Sequence, residues 1–266
     1  MGKLVSFWSP YAGHGKATSS LCAVLGGFVL QYPALSMAVS HTQKESGFLL
    51  KRVDSTAAVW KEKGWLDAFC VDALKIYSRQ KSVSAESIQR CGLPVFGKAL
   101  YFYPNDSWNR RDDSAVFNLL TIQLKSEFEI VFLDLESGNK ENSMQYLKAS
   151  DFVIIALPQD PLYVEKFLQE SGDYLSGLEY GFIFGGCFSK SQYRSNYYRK
   201  IYGNKMSNRI LGEILWNADF FDAMAEGKTL DFFFRNCETV KKEDNYEFIR
   251  QVKKTTERIR KKINCF

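Results

Sequence analysis

Residues 9–20 read SPYAGHGKATSS, and three of these positions carry the residue types that hold a phosphate. Gly13 and Gly15 allow backbone N–H groups to turn inward as an anion-binding nest, and Lys16 supplies a cation on a long stem for the outer phosphates. The standard loop for this chemistry is G-x-x-x-x-G-K-[ST], set after a strand and before a helix. Pro10 stands at its first glycine, and Ala17 stands where a hydroxyl would ligate Mg²⁺. The bland alternative is a strand-to-helix turn that holds no anion and keeps its glycines for backbone geometry.

A phosphate loop needs a strand behind it and a helix in front, and the flanking sequence offers both. KLVSFW (3–8) reads as a strand and residues 17–32 read as a helix. Further apolar runs at 34–40, 98–104, 128–135, 151–158, 180–186 and 208–215 read as strands, several apolar on consecutive residues, as in a sheet covered on both faces. Helical segments are expected at 55–80, 112–126, 140–149, 162–177 and 192–206, and residues 81–97 read as a helix-to-strand connection. The alternation predicts an α/β fold, a doubly wound and mostly parallel sheet of about seven strands with helices on both faces, like that of P-loop NTPases. Residues 1–240 are expected to form this domain. Residues 241–266 read as a basic amphipathic helix.

Composition narrows the function. The chain has 266 residues and a net charge of +5, too mild to argue for nucleic acid, which is not an expected partner. Cysteines 22, 70, 91, 187, 237 and 265 form no C-x-x-C pair, so reduced thiols in a cytoplasmic protein are expected. With only His14 and His41 available, a histidine-based metal or triad site has little to build on. Both are expected in solvent-facing loops. No apolar run reaches the ~18 residues of a membrane span.

The segments FEIVFLDLESG (128–138), KASDFVIIALPQDPLYVEKF (148–167) and ILGEILWNADFFDAMAEGKTLDFFFRN (210–236) follow the loop in an order that resembles the MinD/ParA group of P-loop ATPases. The loop itself is similar to that group's deviant form, K-G-G-x-G-K-[ST]-[ST]. Within the group, the layout most resembles the TadZ/CpaE type of pilus-assembly protein. The resemblance implies ATP or ADP as ligand, with Mg²⁺, unless nucleotide binding has been lost altogether. It makes Gly13, His14, Gly15, Lys16, Ala17 and Thr18 the expected binding set, with Thr18 at the position that touches the α-phosphate. It places Asp134 at the acidic position that holds the metal's shell.

Departures from the family pattern carry as much information. Tyr11 replaces the signature lysine that reaches across the family's ATP-bound dimer, Ala12 replaces a glycine, and Ala17 removes a metal ligand. Where the family has Asp-x-Asp to orient water, this chain has His41, Thr42 and Gln43, with no carboxylate until Glu45. GGC (185–187) lacks the amide that reads the adenine. A cation supplied in trans contributes roughly 10³–10⁵ in rate to phosphoryl transfer, and tyrosine cannot supply it. These features predict a degenerate nucleotide-binding scaffold for positioning or assembly, in a pilus, secretion or partition system, with weak or no hydrolysis. The alternative is an active partition-type ATPase stimulated by DNA or membrane.

Expected partners are a second copy of the chain and other proteins of such an assembly. Phe248, Val252, Ile259, Ile263 and Phe266 form a stripe flanked by lysines and arginines. This stripe suits either packing on the domain or contact with a membrane surface. In SQYRSNYYRK (191–200), interleaved tyrosine and arginine suit either a covering helix or a base-stacking surface.

Overall fold

A computed structural model describes residues 1–42, 48–54, 84–96, 99–102, 119–138, 141–171 and 175–263. Its centre is an eight-stranded sheet of order β3-β4-β2-β5-β1-β6-β7-β8. The strands are β1 (Lys3–Trp8), β2 (Met37–His41), β3 (Leu93–Phe96), β4 (Ala99–Tyr101), β5 (Ile130–Asp134), β6 (Phe152–Leu157), β7 (Tyr180–Cys187) and β8 (Ile210–Leu215). All pairings are parallel except β3 with β4.

The antiparallel β3 is the strand absent from the sequence reading. It lies within residues 81–97, which were expected to be a plain connection but also hold helix α3 (Ala85–Cys91). Pro94 has no N–H to give to a ladder, and it sits on the outermost strand, where its register with β4 shifts. The expected helix at 55–80 lies outside the described residues, as do the first residues of the one expected at 112–126. From Leu119 the chain runs as a π-helical turn to Leu124 and then a short α-helical turn, Lys125–Glu127.

Other helices are α1 (Ala17–Gln31), α2 (Phe48–Val53), α4 (Glu141–Ala149), α5 (Pro161–Glu170), α6 (Ser195–Tyr202), α7 (Ala218–Ala225), α8 (Thr229–Arg235) and α9 (Tyr246–Ile263). Local sequence sets their starts. Asp160 accepts from the N–H of Leu162 ahead of Pro161, and Asn217 accepts from the N–H of Phe220.

The alternation along β7 divides the helices between the faces of the sheet. Phe182 packs edge-on against Phe167 of α5, and Phe184 stacks on Tyr198 of α6 with ring centroids 4.6 Å apart. Gly185 points the other way. A Cβ there would lie 2.5 Å from the carbonyl oxygen of Gly15 and 3.0 Å from Lys16 Cβ at the mouth of α1. The residue type at 185 therefore decides how closely the loop can approach the sheet.

Helix α9 shares the α1 face. Phe248, Ile249, Val252, Thr255, Thr256, Ile259 and Ile263 are buried. A Cβ at Gly27 of α1 would meet Thr256, and one at Gly212 of β8 would meet Thr255. Gln31 donates to the carbonyl of Lys253, and Arg258 donates to that of Leu211. The apolar stripe thus faces α1 and β8, and only the cationic face of the helix is left toward solvent. Phe266, the last residue of that stripe, lies outside the described residues.

Helix α6 is likewise a cover and not a base-stacking surface. Tyr198 is fully buried, Arg194 pairs with Glu213 at 2.7 Å, and Arg199 bonds the carbonyls of Ser207 and Ile210.

Candidate functional site

The loop between β1 and α1 is built by short-range bonds. Ser9, buried at the end of β1, accepts from the N–H of Tyr11 and donates to its carbonyl. The N–H of His14 reaches back to that same carbonyl. Gly13 adopts φ +74°, and Lys16 adopts φ +56°, ψ +41° as the residue that caps α1. Lys16 is the one non-glycine residue with positive φ among the described residues. A left-handed lysine at a helix entrance is a conformation held by its surroundings. Gly15 supplies the closest approach. Any Cβ there would lie 2.2 Å from both the Ala156 carbonyl oxygen and Ser9 Oγ, so the loop sits down on β6 only with glycine.

Two aromatic contacts hold the flank of the loop. Tyr11 donates its hydroxyl to the carbonyl of Tyr163 in α5 at 3.1 Å, and the two rings meet edge-on at 4.8 Å. His14, exposed as expected, stacks on the opposite partner of this pair, with its ring 4.8 Å from that of Tyr163. Partial burial raises the pKa of the Tyr11 phenol, so it stays a neutral donor. The side chain at the position of the family's cross-dimer lysine is therefore folded onto its own chain.

Asp134 lies at the end of β5, level with Phe7 of β1 and His41 of β2, and is 1% exposed. Its Oδ2 accepts the hydroxyl of Thr18 at 2.7 Å. Burial pushes its pKa up to about 7, against the opposing pull of the Thr18 bond and of the Arg52 guanidinium. His41 is not in a solvent-facing loop. It is a buried residue of β2, and its Nδ1 is bonded to the Tyr101 hydroxyl. The alternation of MAVSH was read one residue too short to include it. Thr42 beside it accepts from the N–H of Glu136 and donates its own N–H to the Asp134 carbonyl.

A cavity of about 690 Å³ opens in front of the loop. Gly13, Lys16, Ala17 and Thr18 are among the residues that line it. His14 and Gly15 do not reach it: His14 is turned to Tyr163, and Gly15 lies beneath the loop. Asp134 also lies outside the wall, one bond behind Thr18. Three further groups face the cavity that sequence reasoning did not assign: Arg52 from α2, Glu136 and Ser137 after β5, and Trp216, Phe221 and Met224 after β8. Arg52 had no usable signal, because nothing near it in sequence shares its destination, whereas Glu136 lies two residues past Asp134 in FEIVFLDLESG. The aromatic cluster in WNADFF was visible, but read as a closing helix.

The chain matches no protein-family model and no curated protein. Solved structures do share its fold. A plasmid partition protein from Borrelia burgdorferi bound to AMPPNP matches with a TM-score of 0.64 at 16% identity, over 98% of this chain and 100% of that one. The septum site-determining protein MinD from Pyrococcus horikoshii, in complex with Mg-ADP, matches at 0.62 and 14%, over 97% and 96%. A ParA family ATPase from Chlorobium tepidum matches at 0.68 and 11%, over 97% and 99%. The fold is that of the MinD/ParA P-loop ATPases.

That fold implies Mg²⁺ beside the phosphates, and the cavity is lined by four residues with side-chain oxygens, Thr18, Ser19, Glu136 and Ser137. Ala17 has no oxygen to offer. Thr18 gives its hydrogen to Asp134 and keeps the lone pairs of its oxygen, a hydroxyl donor with a carboxylate behind it. When bound, the ion would neutralise charge on the phosphate oxygens. Among the described residues, no group of three or more His, Cys, Asp and Glu side chains could hold a metal by itself.

Proposed function

We propose that this protein binds ATP or ADP at the loop of residues 13–18 and serves as a positioning or assembly scaffold, with weak or no hydrolysis. The observation that carries the reading is the cavity in which Lys16, the positive end of the fifteen-residue helix α1, and Arg52 share a wall. A helix N-terminus with two nearby cations favours a polyphosphate over any neutral ligand. Lys16 and the loop amides hold the outer phosphates. Arg52 adds a second cation to the same cavity.

Poor turnover follows from three features. Tyr11 is engaged with Tyr163 and brings no charge, Ala17 leaves the metal one ligand short, and Thr42 stands in place of a water-orienting carboxylate. The partners of such a scaffold would be proteins of a pilus, secretion or partition assembly, and a second copy of the chain through a surface other than the Tyr11 contact. Any membrane contact would use the cationic face of α9, since its apolar side is buried. No described helix is long and apolar enough to cross a membrane.

Calorimetric titration with ATP and ADP, with and without Mg²⁺, tests the reading. Binding is expected, and Lys16→Ala is expected to weaken it by at least about ten-fold, as loss of a charge-assisted phosphate contact does. Steady Mg²⁺-dependent turnover would remove the degenerate part of the proposal. One observation favours that second reading, an active partition-type ATPase: Glu136 lines the cavity, and the Thr18–Asp134 pair gives a metal an alternative seat. Phosphate release stimulated by DNA or by anionic vesicles, and lost in Glu136→Gln, would establish it.

A further inference from the structure

We infer that this cavity takes the nucleotide's base by stacking on Trp216, without discriminating adenine from guanine. The inference rests on the phosphate reading of the Lys16 end. Trp216 and Phe221 are 49% and 46% exposed, and both face the same cavity as the loop. Their ring centroids lie 5.3 Å apart at an interplanar angle of 33°, so the two form one bent apolar surface. Phe188 supports it, with its ring 6.4 Å from that of Trp216. The main chain fixes the position of the indole, since the N–H of Trp216 donates to the carbonyl of Cys187 at the end of β7. Exposed aromatic rings in the same concave site as a phosphate-binding loop present the flat face that a purine covers.

Telling adenine from guanine requires a donor or acceptor aimed at the exocyclic group. Among the described residues that line the cavity, the one side-chain amide, Asn217, is not aimed there. The oxygen of Asn217 accepts from the N–H of Phe220 as the cap of α7, and its Nδ2 donates to Asn245 at 2.7 Å. Gly186, at φ +65°, brings no side chain at all. Stacking alone tolerates any base, because every base has a π-face. The two-ring surface of Trp216 and Phe221 is covered best by the larger bases, so the ligand class is a nucleoside di- or triphosphate of either purine.

The test is calorimetric titration of the whole chain with ATP, GTP and inorganic tripolyphosphate. ATP and GTP should bind within about three-fold of each other, both tighter than tripolyphosphate by the contribution of one stacked base. Trp216→Ala should weaken both nucleotides by about ten-fold or more while leaving tripolyphosphate unchanged, and Trp216→Phe should restore them. A preference for ATP over GTP of about a hundred-fold, the scale of hydrogen-bonded readout, overturns the inference. So does wild-type nucleotide affinity in Trp216→Ala. If tripolyphosphate binds and Lys16→Ala removes it while nucleotides bind no tighter, only this inference falls. If none of the three binds, the phosphate reading falls and the base site with it.

Discussion

Asp134 ends β5 with strands β1 and β2 on either side, and their packing leaves it 1% exposed. The consequence can be measured. Its folded pKa of about 7 lies above the ordinary carboxylate value, so between about pH 4 and pH 7 the folded state holds more protons than the unfolded one. Stability from this group is present at low pH and is lost as pH rises through that window. Asp134→Asn keeps an acceptor for Thr18 and removes the titration. Urea unfolding of the variant should lose the decline seen in the wild type, a difference of up to about 4 kcal/mol at pH 8. Parallel pH profiles for the two proteins would count against this account. Gly13, Gly15, Lys16 and Thr18 were legible because their spacing is local, and the replacement of a lysine by Tyr11 was visible too. The destination of Tyr11 was not, since Tyr163 is remote in sequence. Arg52 escaped notice for the same reason, while Glu136 stood two residues past Asp134 without a signal for its direction.

At the scale of elements, amphipathic periodicity predicted α9 without saying what its stripe would meet. Phe248, Val252, Ile259 and Ile263 were picked out in advance, and the structure adds Ile249, Thr255 and Thr256. Gly27 and Gly212 make room for the two threonines, and no periodicity argument reveals such a fit. If the helix is part of the core, truncating its inner face should cost far more than neutralising its outer one. Ile259→Ala, at a fully buried position, should lower stability by about 2–5 kcal/mol. Lys261→Ala, which removes an exposed pair with Glu257, should change it by no more than about 0.5 kcal/mol. Denaturant midpoints decide this, and equal effects would mean the helix is only loosely attached. The edge strand β3 was missed because it is short, contains a proline and follows a helix without a clear break.

For the whole molecule, a doubly wound and mostly parallel sheet was implied by the alternation of elements, while its strand order and antiparallel edge were not. The arrangement of the loop bears on assembly. With Tyr11 held by its own α5, nucleotide has no cation at this position to extend toward a neighbour. Sedimentation velocity with and without AMPPNP should therefore give the same species, and nucleotide-driven dimerisation would refute this. The position of β1 carries a different consequence. It lies between β5 and β6, its register partners being Ile130 and Phe152 at the near ends of those strands. During translation β1 leaves the ribosome before both of them, so it must wait as an unpaired apolar segment until distant chain arrives. The loop that follows inherits that delay. It is synthesised early yet takes shape late, and any ligand seated there reports that the distant halves of the chain have met.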